Sequence, residues 1–206
     1  FSALSSIYQS GWLSFLKSQP HLSFEIVATP GNVGFFVSVP ANLRDFIEKQ
    51  IYGAYSGADI SVVEEYNIFS EEGRVEFAAL RLKKTDYFPI KTFRELPTDP
   101  LSSITSTLAK MQKGEGAAVQ ILVQPTSGKW KKPGQSFVAH IKKSESDPEK
   151  AKFQYDAKVL EAISNKTQKP GFKTVVRLVV SSTSKESTKM HLTNLIGAFS
   201  QFASDQ

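Results

Sequence analysis

Histidines, paired carboxylates and one glycine–lysine step are the residues of this chain whose types could support catalysis or ligand binding. His21, His140 and His191 are never three or four residues apart, the spacing at which two histidines share one helical face and one metal ion. Glu64 and Glu65 are adjacent, so on a strand their carboxylates point to opposite faces. These patterns predict no metal site and no paired acid–base catalyst.

The step Gly128-Lys129 is the part of the chain that most resembles a phosphate-binding loop. That loop needs Ser or Thr directly after the lysine, where this chain has Trp130, and a glycine where it has Val123. A Gly-x-Ser-x-Gly nucleophile turn does not occur in the sequence either. We therefore expect a protein that is not an enzyme and that uses no cofactor.

The composition is that of a globular protein with a real core. Of the 206 residues 40% are hydrophobic, 15 are Phe and none is Cys, so disulfides and thiolate zinc sites are excluded. The net charge of +5 is unevenly spread, because the lysines concentrate in the second half of the chain. A basic half can attract nucleic acid, an anionic membrane or an acidic partner, or it can be a solvated lysine-rich surface.

Apolar spacing and turn residues predict alternating helices and strands. Helices are expected over 3–17, over 41–55 and from Asp99-Pro100 onwards. A last helix should start at a capping box of Thr183 and Glu186 and carry its apolar stripe over 190–202. Strands 22–29 and 33–39 should form a hairpin around Pro30-Gly31-Asn32, and strands 59–69 and 74–84 a second hairpin. Further strands are expected over 117–124 and 172–182.

The order helix, strand, strand, helix occurs in both halves of the sequence. We therefore predict the α+β class, with two related ferredoxin-like α/β sandwich repeats at residues 1–96 and 97–206. The irregular stretch 85–98 connects them. A lysine-rich helical insertion, residues 129–169, interrupts the second repeat, and Asp147-Pro148-Glu149 is expected to open its second helix. The second repeat lacks a closing strand pair, so we expect the natural polypeptide to continue past Gln206.

The insertion is the segment with the clearest potential for binding. It holds ten Lys against five acidic residues, with aromatic residues interleaved, and this mixture suits phosphates and bases. It contains no Arg, the better reader of phosphate and base, and a lysine-rich helical surface also suits packing against a protein or plain solvation. Candidate contacts to a partner or to nucleic acid are Trp130, Lys131, Lys132, Lys142 and Lys143.

Four segments together carry a family resemblance. They are FEIVATPGNVGFFVSVPANLRDFIEKQIYGAYSGADISVVEEYNIF, LRLKKTDYFPIKTF, DPLSSITSTLAKMQKGEGAAVQILVQP and GKWKKPG, which lie between residues 24 and 134. The chain resembles the region N-terminal to the motor in predicted type IV secretion, conjugative DNA-transfer ATPases of the TraG/HerA/FtsK-like class, seen in candidate-phyla bacteria. The resemblance is one of overall pattern and includes no catalytic signature.

This resemblance implies a non-catalytic accessory or assembly domain. A membrane-anchoring segment would precede it and a RecA-like ATPase would follow it, at the cytoplasmic face of the inner membrane, while the fragment itself is expected to be soluble. Its partners would be other subunits of the same ATPase and secretion-channel proteins, with nucleic acid as a further partner and the membrane reached only through segments missing from this chain. The alternative is a stand-alone adaptor or structural protein-interaction domain.

Overall fold

A computed structural model describes residues 2–8, 19–145 and 155–203, and in these residues one antiparallel sheet of five strands carries the fold. The strands are β1 (Leu22–Thr29), β2 (Asn32–Ser38), β3 (Arg74–Leu80), β4 (Gly116–Pro125) and β5 (Phe172–Ser182), in the order β2-β1-β4-β5-β3. The helices are α1 (Arg44–Ala54), α2 (Pro100–Leu108), α3 (Lys131–Glu145), α4 (Ala157–Gln168) and α5 (Lys185–Phe199). The predicted α+β class is confirmed.

The hairpin of β1 and β2 forms as the sequence predicts. Its register runs from Ser23↔Ser38 to Thr29↔Asn32, and the chain reverses at Pro30 and Gly31. Gly31 has a φ of 74°, in the left-handed region that a residue with a Cβ enters only with strain. The glycine is therefore required by the turn itself.

The main core lies between the sheet and two helices, α2 and α5. Alternate residues of the central strands, such as Ile26, Val119 and Leu178, are buried against Leu108 of α2 and Leu195 of α5. The side chain of Asp99 accepts a hydrogen bond from the backbone N–H of Leu101, so it caps α2 as expected.

A second cluster continues this core along the same face of the sheet. It joins Leu22 of β1, Val123 of β4 and Ile47 of α1 to Leu4, which lies in the short 3-10 turn Ser2–Ile7. Strand side chains alternate between faces, so Leu22 and Ile26, four residues apart on β1, lie on the same side. Helices α1, α2 and α5 thus cover one face. Of the predicted first helix, residues 9–18 lie outside the described residues.

The opposite face of the sheet is crossed by residues 58–72, which form neither helix nor strand. Ile68 from this segment is buried with Val27 and Ala118. The predicted hairpin of strands 59–69 and 74–84 is therefore wrong: only Arg74–Leu80 is a strand, and its partner is β5. The reason is tertiary, because Tyr66 and Ile68 of this segment pack on the face of the sheet, and the segment does not pair as an added strand.

The lysine-rich insertion folds as a helical hairpin, as predicted. Helices α3 and α4 contact each other and enclose a small core of Val138, Ile141, Val159, Leu160 and Ile163, with Tyr87, Phe88 and Phe137 packed against it. The predicted opening of the second helix at Asp147-Pro148-Glu149 lies outside the described residues. In the described part, Asp156 caps α4 by accepting from the backbone N–H of Lys158.

The arrangement of the two predicted repeats needs a correction. Strands from residues 1–96 and from 97–206 neighbour each other in a single sheet, with β1 beside β4 and β5 beside β3. Two separate ferredoxin-like sandwiches are therefore not formed by the described residues, and the boundary near residue 96 stays a prediction. The cap of α5 is also corrected: Ser184, not Thr183, accepts the hydrogen bond at its start, from the N–H of Ser187.

Candidate functional site

A buried carboxylate, Glu115, lies where the start of β4, the end of β5 and α5 meet. Ser182 and Ser187 donate their hydroxyls to its Oε1 at 2.8 and 2.7 Å. The backbone N–H of Gln112 donates to Oε2 at 3.0 Å, and the Nε2 of His191 lies 3.1 Å from Oε2. The side chains of Glu115 and His191 are 10% and 9% exposed. We call these five residues the Glu115 cluster.

The electrostatics of the Glu115 cluster favour an ionised carboxylate. Burial alone would raise the pKa of Glu115, but hydrogen bonds from the Gln112 backbone and from the hydroxyls of Ser187 and Ser182, with a contribution from His191, lower it to about 2. Three donors to one carboxylate are enough to reverse the effect of desolvation. The negative charge is therefore held in place at neutral pH.

The geometry of the Glu115 cluster does not match a hydrolytic triad. In a triad the histidine bridges serine and acid, so that it can take the hydroxyl proton. Here both hydroxyls and the imidazole contact the same carboxylate, so the hydroxyl protons already point at Glu115. The cluster ties strand ends to a helix and contains no activated nucleophile.

A groove of about 620 Å³ runs between α2 and α5, and His191 forms part of its wall. The other lining residues are Thr107, Lys110, Gln112, Met190, Thr193, Asn194 and Gly197. Within the described residues, no group of three or more His, Asp or Glu side chains comes together as a metal ion requires. The lining of the groove is mostly polar, but it holds no such metal-binding group among the described residues.

A second buried carboxylate, Glu25, holds the 58–72 segment to the sheet. The Tyr66 hydroxyl donates to Glu25 and accepts from the side-chain amide of Gln120 at 3.2 Å. Burial, helped by the hydrogen bond to Glu25, raises the pKa of Tyr66 to about 12. Sequence reasoning missed this network, because Glu25 looked like an ordinary polar residue on a half-buried strand.

Of the residues predicted to contact a partner, two have internal roles. Trp130 is half-buried and its indole lies so close to Gly171 that a Cβ there would be 2.1 Å from Nε1. Lys131 donates from Nζ to the carbonyl of Gln168 at 3.2 Å and so links the start of α3 to the end of α4. Trp130 thus packs beside the start of β5, and Lys131 holds the two helices of the hairpin together.

The other three predicted residues, Lys132, Lys142 and Lys143, are exposed on α3. Lys132 and Lys143 are eleven residues apart, close to three full turns, so they lie on the same side of the helix about 16 Å apart. The structure thus places two of the five predicted residues, Lys132 and Lys143, on one exposed side of α3, which we call the α3 stripe. This stripe is positively charged and accessible.

Exposed apolar side chains form the surface feature that sequence reasoning overlooked. On β3, Phe77 is 76% exposed and Val75 is 47% exposed, and Val175 of β5 is exposed on the same face of the sheet. Val175 lies beyond the end of the β3–β5 ladder, so we call only Val75 and Phe77 the β3 edge surface. The sequence does show apolar residues alternating with a polar one at Val75, Glu76 and Phe77. The predicted hairpin, however, paired this strand with residues 59–69, so its outer edge was not expected to be open.

The chain is thus a two-layer α+β domain, with an antiparallel sheet, helices on one face and an inserted helical hairpin. It belongs to the family described as a domain of unknown function, DUF8128, whose pattern matches residues 2–206. No curated protein and no solved structure matches it. Among the residues that the structure describes, no helix has the length and apolar character needed to cross a bilayer.

Proposed function

We propose that this chain is a non-catalytic assembly domain, N-terminal to the motor of a membrane-linked, DNA-translocating ATPase of the type IV secretion class. The observation that carries the assembly role is the β3 edge surface, because exposed apolar side chains grouped on one strand edge are typical of protein docking sites. The sequence resemblance between residues 24 and 134 supports the choice of machine. The cytoplasmic face of the inner membrane is part of the same proposal.

The buried polar groups support a role without catalysis. The carboxylates of Glu115 and Glu25 are each engaged by donors from distant segments of the chain. Such satisfied networks fix one arrangement of strands and helices. Because these buried carboxylates are already engaged inside the chain, we infer that the described structure acts on other molecules through its surface.

Nucleic acid is a further partner in this proposal, through Lys132, Lys142 and Lys143. If these three lysines contact phosphates, replacing them with Gln should lower the slope of log affinity against log salt by roughly 2 to 3. A matched control replaces Lys49, Lys185 and Lys189, which are exposed on α1 and α5. Equal DNA affinity and salt dependence for both triple variants would exclude these three lysines of α3 as nucleic-acid contacts.

We also infer that the two halves are related repeats that share one sheet. The ladder between β1 and β4 runs from Leu22↔Val123 to Ala28↔Ala117, so its midpoint is the pair Glu25↔Gln120. On one side of this point lie β1 and then β2, and on the other side lie β4 and then β5, so each half contributes one inner and one outer strand. The turn before β1 contacts β4, and α2, which precedes β4, contacts β1. These reciprocal contacts support an internal two-fold relation.

The motor attachment is tested by the size of the native polypeptide. An antibody raised against this chain should detect, in the membrane fraction of the source cells, a band several times larger than 22.8 kDa. A soluble band near 22.8 kDa would refute the attachment. The stand-alone adaptor would then be the better account of the same exposed surface.

A further inference from the structure

We propose that β3 is a docking strand for a second copy of this chain, whose own β3 pairs with it antiparallel across a two-fold axis. The proposal rests on the assembly function above and deepens it, because it names both the partner and the surface. Three features of β3 carry it: an open backbone edge, exposed apolar side chains, and charges of opposite sign at its two ends.

The first feature is the backbone edge of β3. On one side β3 pairs with β5 over a continuous register, from Arg74↔Ser182 to Leu80↔Val176. On its other side the described residues supply no neighbouring strand, so alternate N–H and C=O groups point outward. Edge strands are commonly protected by lysine, proline or a bulge. The seven residues of β3 include two charged residues, Arg74 and Glu76, but no Lys and no Pro, and the register shows no bulge.

The second feature is the direction of the side chains on β3. Val75 and Phe77 point to the face away from the helices and are exposed, whereas Ala78 and Leu80 point towards the helices and are half-buried. A strand beside β3 would cover Phe77 from the side that β5 leaves open. Aromatic and β-branched side chains opposite each other are among the favourable cross-strand pairs.

The third feature selects the second copy and its direction. Glu71 and Glu72 precede β3, and Arg81 and Lys83 follow it, all four exposed. Within the first half of β3, Arg74 and Glu76 have opposite charges and cancel, so the two ends keep net charges of opposite sign. Antiparallel pairing of two identical strands places the acidic end of one beside the basic end of the other, whereas parallel pairing would bring like charges together. The strand is thus complementary in charge to itself.

The register of the pairing follows from the same residues. A two-fold axis at Phe77 pairs all seven residues of β3 with those of the second copy, with the two Phe77 rings opposite each other. It also brings the turn that holds Glu71 to the end of the second β3, which Lys83 follows. An axis at Glu76 would instead place two Glu76 carboxylates opposite each other, which is unfavourable. We therefore assign the axis to Phe77. Pairing of this type is isologous and closes at the dimer.

The strength of the contact is limited by its size. A single pair of short edge strands lies at the low end of specific interface areas, so we expect a dissociation constant on the order of micromolar or weaker. Linkage of the domain to a larger assembly would raise the effective concentration of neighbouring copies. A weak dimer of the isolated chain is consistent with a tight contact in the full assembly.

The test is sedimentation equilibrium of the 206-residue chain over a wide concentration range. The wild-type mass should rise from 22.8 kDa towards twice that value as the concentration increases. Phe77→Lys should weaken dimerisation at least tenfold, because it places two ammonium groups at the axis. The matched control is Phe35→Lys, at a phenylalanine that is 66% exposed on the other edge strand, β2, and it should change the dissociation constant less than twofold. Circular dichroism checks that both variants fold.

A charge swap tests the register. Glu71→Lys and Lys83→Glu should each weaken the dimer several-fold, and the double variant should restore the wild-type dissociation constant within about twofold. A double variant no better than either single variant would overturn the register. A chain that stays monomeric at all concentrations, or equal effects of Phe77→Lys and Phe35→Lys, would overturn the pairing itself.

Failure of the pairing and failure of the proposed function can be told apart. A monomeric isolated chain together with a large, membrane-bound native polypeptide would overturn the β3 pairing and leave the motor attachment standing. A dimer disrupted by Phe77→Lys, together with a small soluble native polypeptide, would support the β3 pairing and overturn the motor attachment.

Discussion

Replacing Glu115 with Gln tests whether the Glu115 cluster stabilises the fold through an ionised carboxylate. Gln has nearly the same shape but carries no charge, and its single oxygen can accept only the hydrogen bonds made at one of the two carboxylate oxygens, while its NH₂ group faces the donors at the other. The variant therefore removes the charge-dependent part of the interaction with Gln112, Ser182, Ser187 and His191. We expect it to fold with lower stability at neutral pH.

The magnitude follows from the pKa of Glu115. Its value in the folded chain is about 2, against an ordinary value of 4.5. One pKa unit corresponds to about 1.4 kcal/mol, so the ionised carboxylate contributes at most about 3 kcal/mol at pH 7. That is a large share of the roughly 5 to 15 kcal/mol by which single domains are stable.

The sign of the pH dependence is fixed by the direction of the shift. The folded-state pKa lies below the unfolded one, so the unfolded chain takes up the proton first as the pH falls. The contribution is complete above about pH 4.5 and is lost progressively as the pH falls towards 2. The stability difference between wild type and Glu115→Gln should therefore shrink over this window.

Urea denaturation followed by circular dichroism at pH 7, 5, 4 and 3 measures this difference directly. Glu161→Gln is the matched control, since Glu161 is an exposed carboxylate on α4, and it should change the free energy of unfolding by less than about 0.5 kcal/mol. A wild-type advantage over Glu115→Gln that is the same at pH 7 and at pH 3 would refute the assignment of a lowered pKa to Glu115.

Two further substitutions test the other structural assignments. Tyr66→Phe should lower the free energy of unfolding by about 1 to 3 kcal/mol, because buried Glu25 loses its hydroxyl donor. The same variant should lack a phenolate absorbance step near pH 12, which the control Tyr52→Phe, at an exposed tyrosine, should retain. Gly31→Ala should lower the free energy of unfolding, measured by urea denaturation, by about 1 to 2 kcal/mol. The cause would be the left-handed φ alone, since no atom lies within 4 Å of a Cβ at this position. Gly57→Ala, where a Cβ also meets no atom, is the control and should have little effect.

Local signals in the sequence predicted most of the elements well. The Pro30-Gly31 turn, the Asp99 cap and the strands 22–29 and 172–182 each depend on neighbours a few residues away, and each is confirmed. The burial of β1 does not alternate, because its side chains are covered on both faces of the sheet. Such signals are local because turns, caps and strand faces are decided by backbone conformation and side-chain direction. The α+β class followed from them.

The pairing of strands depends on tertiary contacts and could not be predicted in the same way. Apolar and polar residues alternate in 59–69 and 74–84 as they would in a hairpin. In the structure, however, β3 pairs with the edge of β5, and Tyr66 and Ile68 pack on the face of the sheet. The Glu115 cluster was missed for the same reason. Glu115 lies 67 residues from Ser182 and 76 residues from His191, and no short spacing connects them.

The position of β3 relative to the proposed repeats gives an independent argument for its role. The two-fold relation that we propose about Glu25 and Gln120 would account for β2, β1, β4 and β5, and would leave β3 as an addition at one edge. A strand added only to complete the core would place apolar residues towards the helices and polar ones outward. β3 does bury Leu80 partly, yet it also places Val75 and Phe77 on the outer face. This second apolar row contributes little to the core of one chain, and it is the row that an antiparallel neighbour would cover.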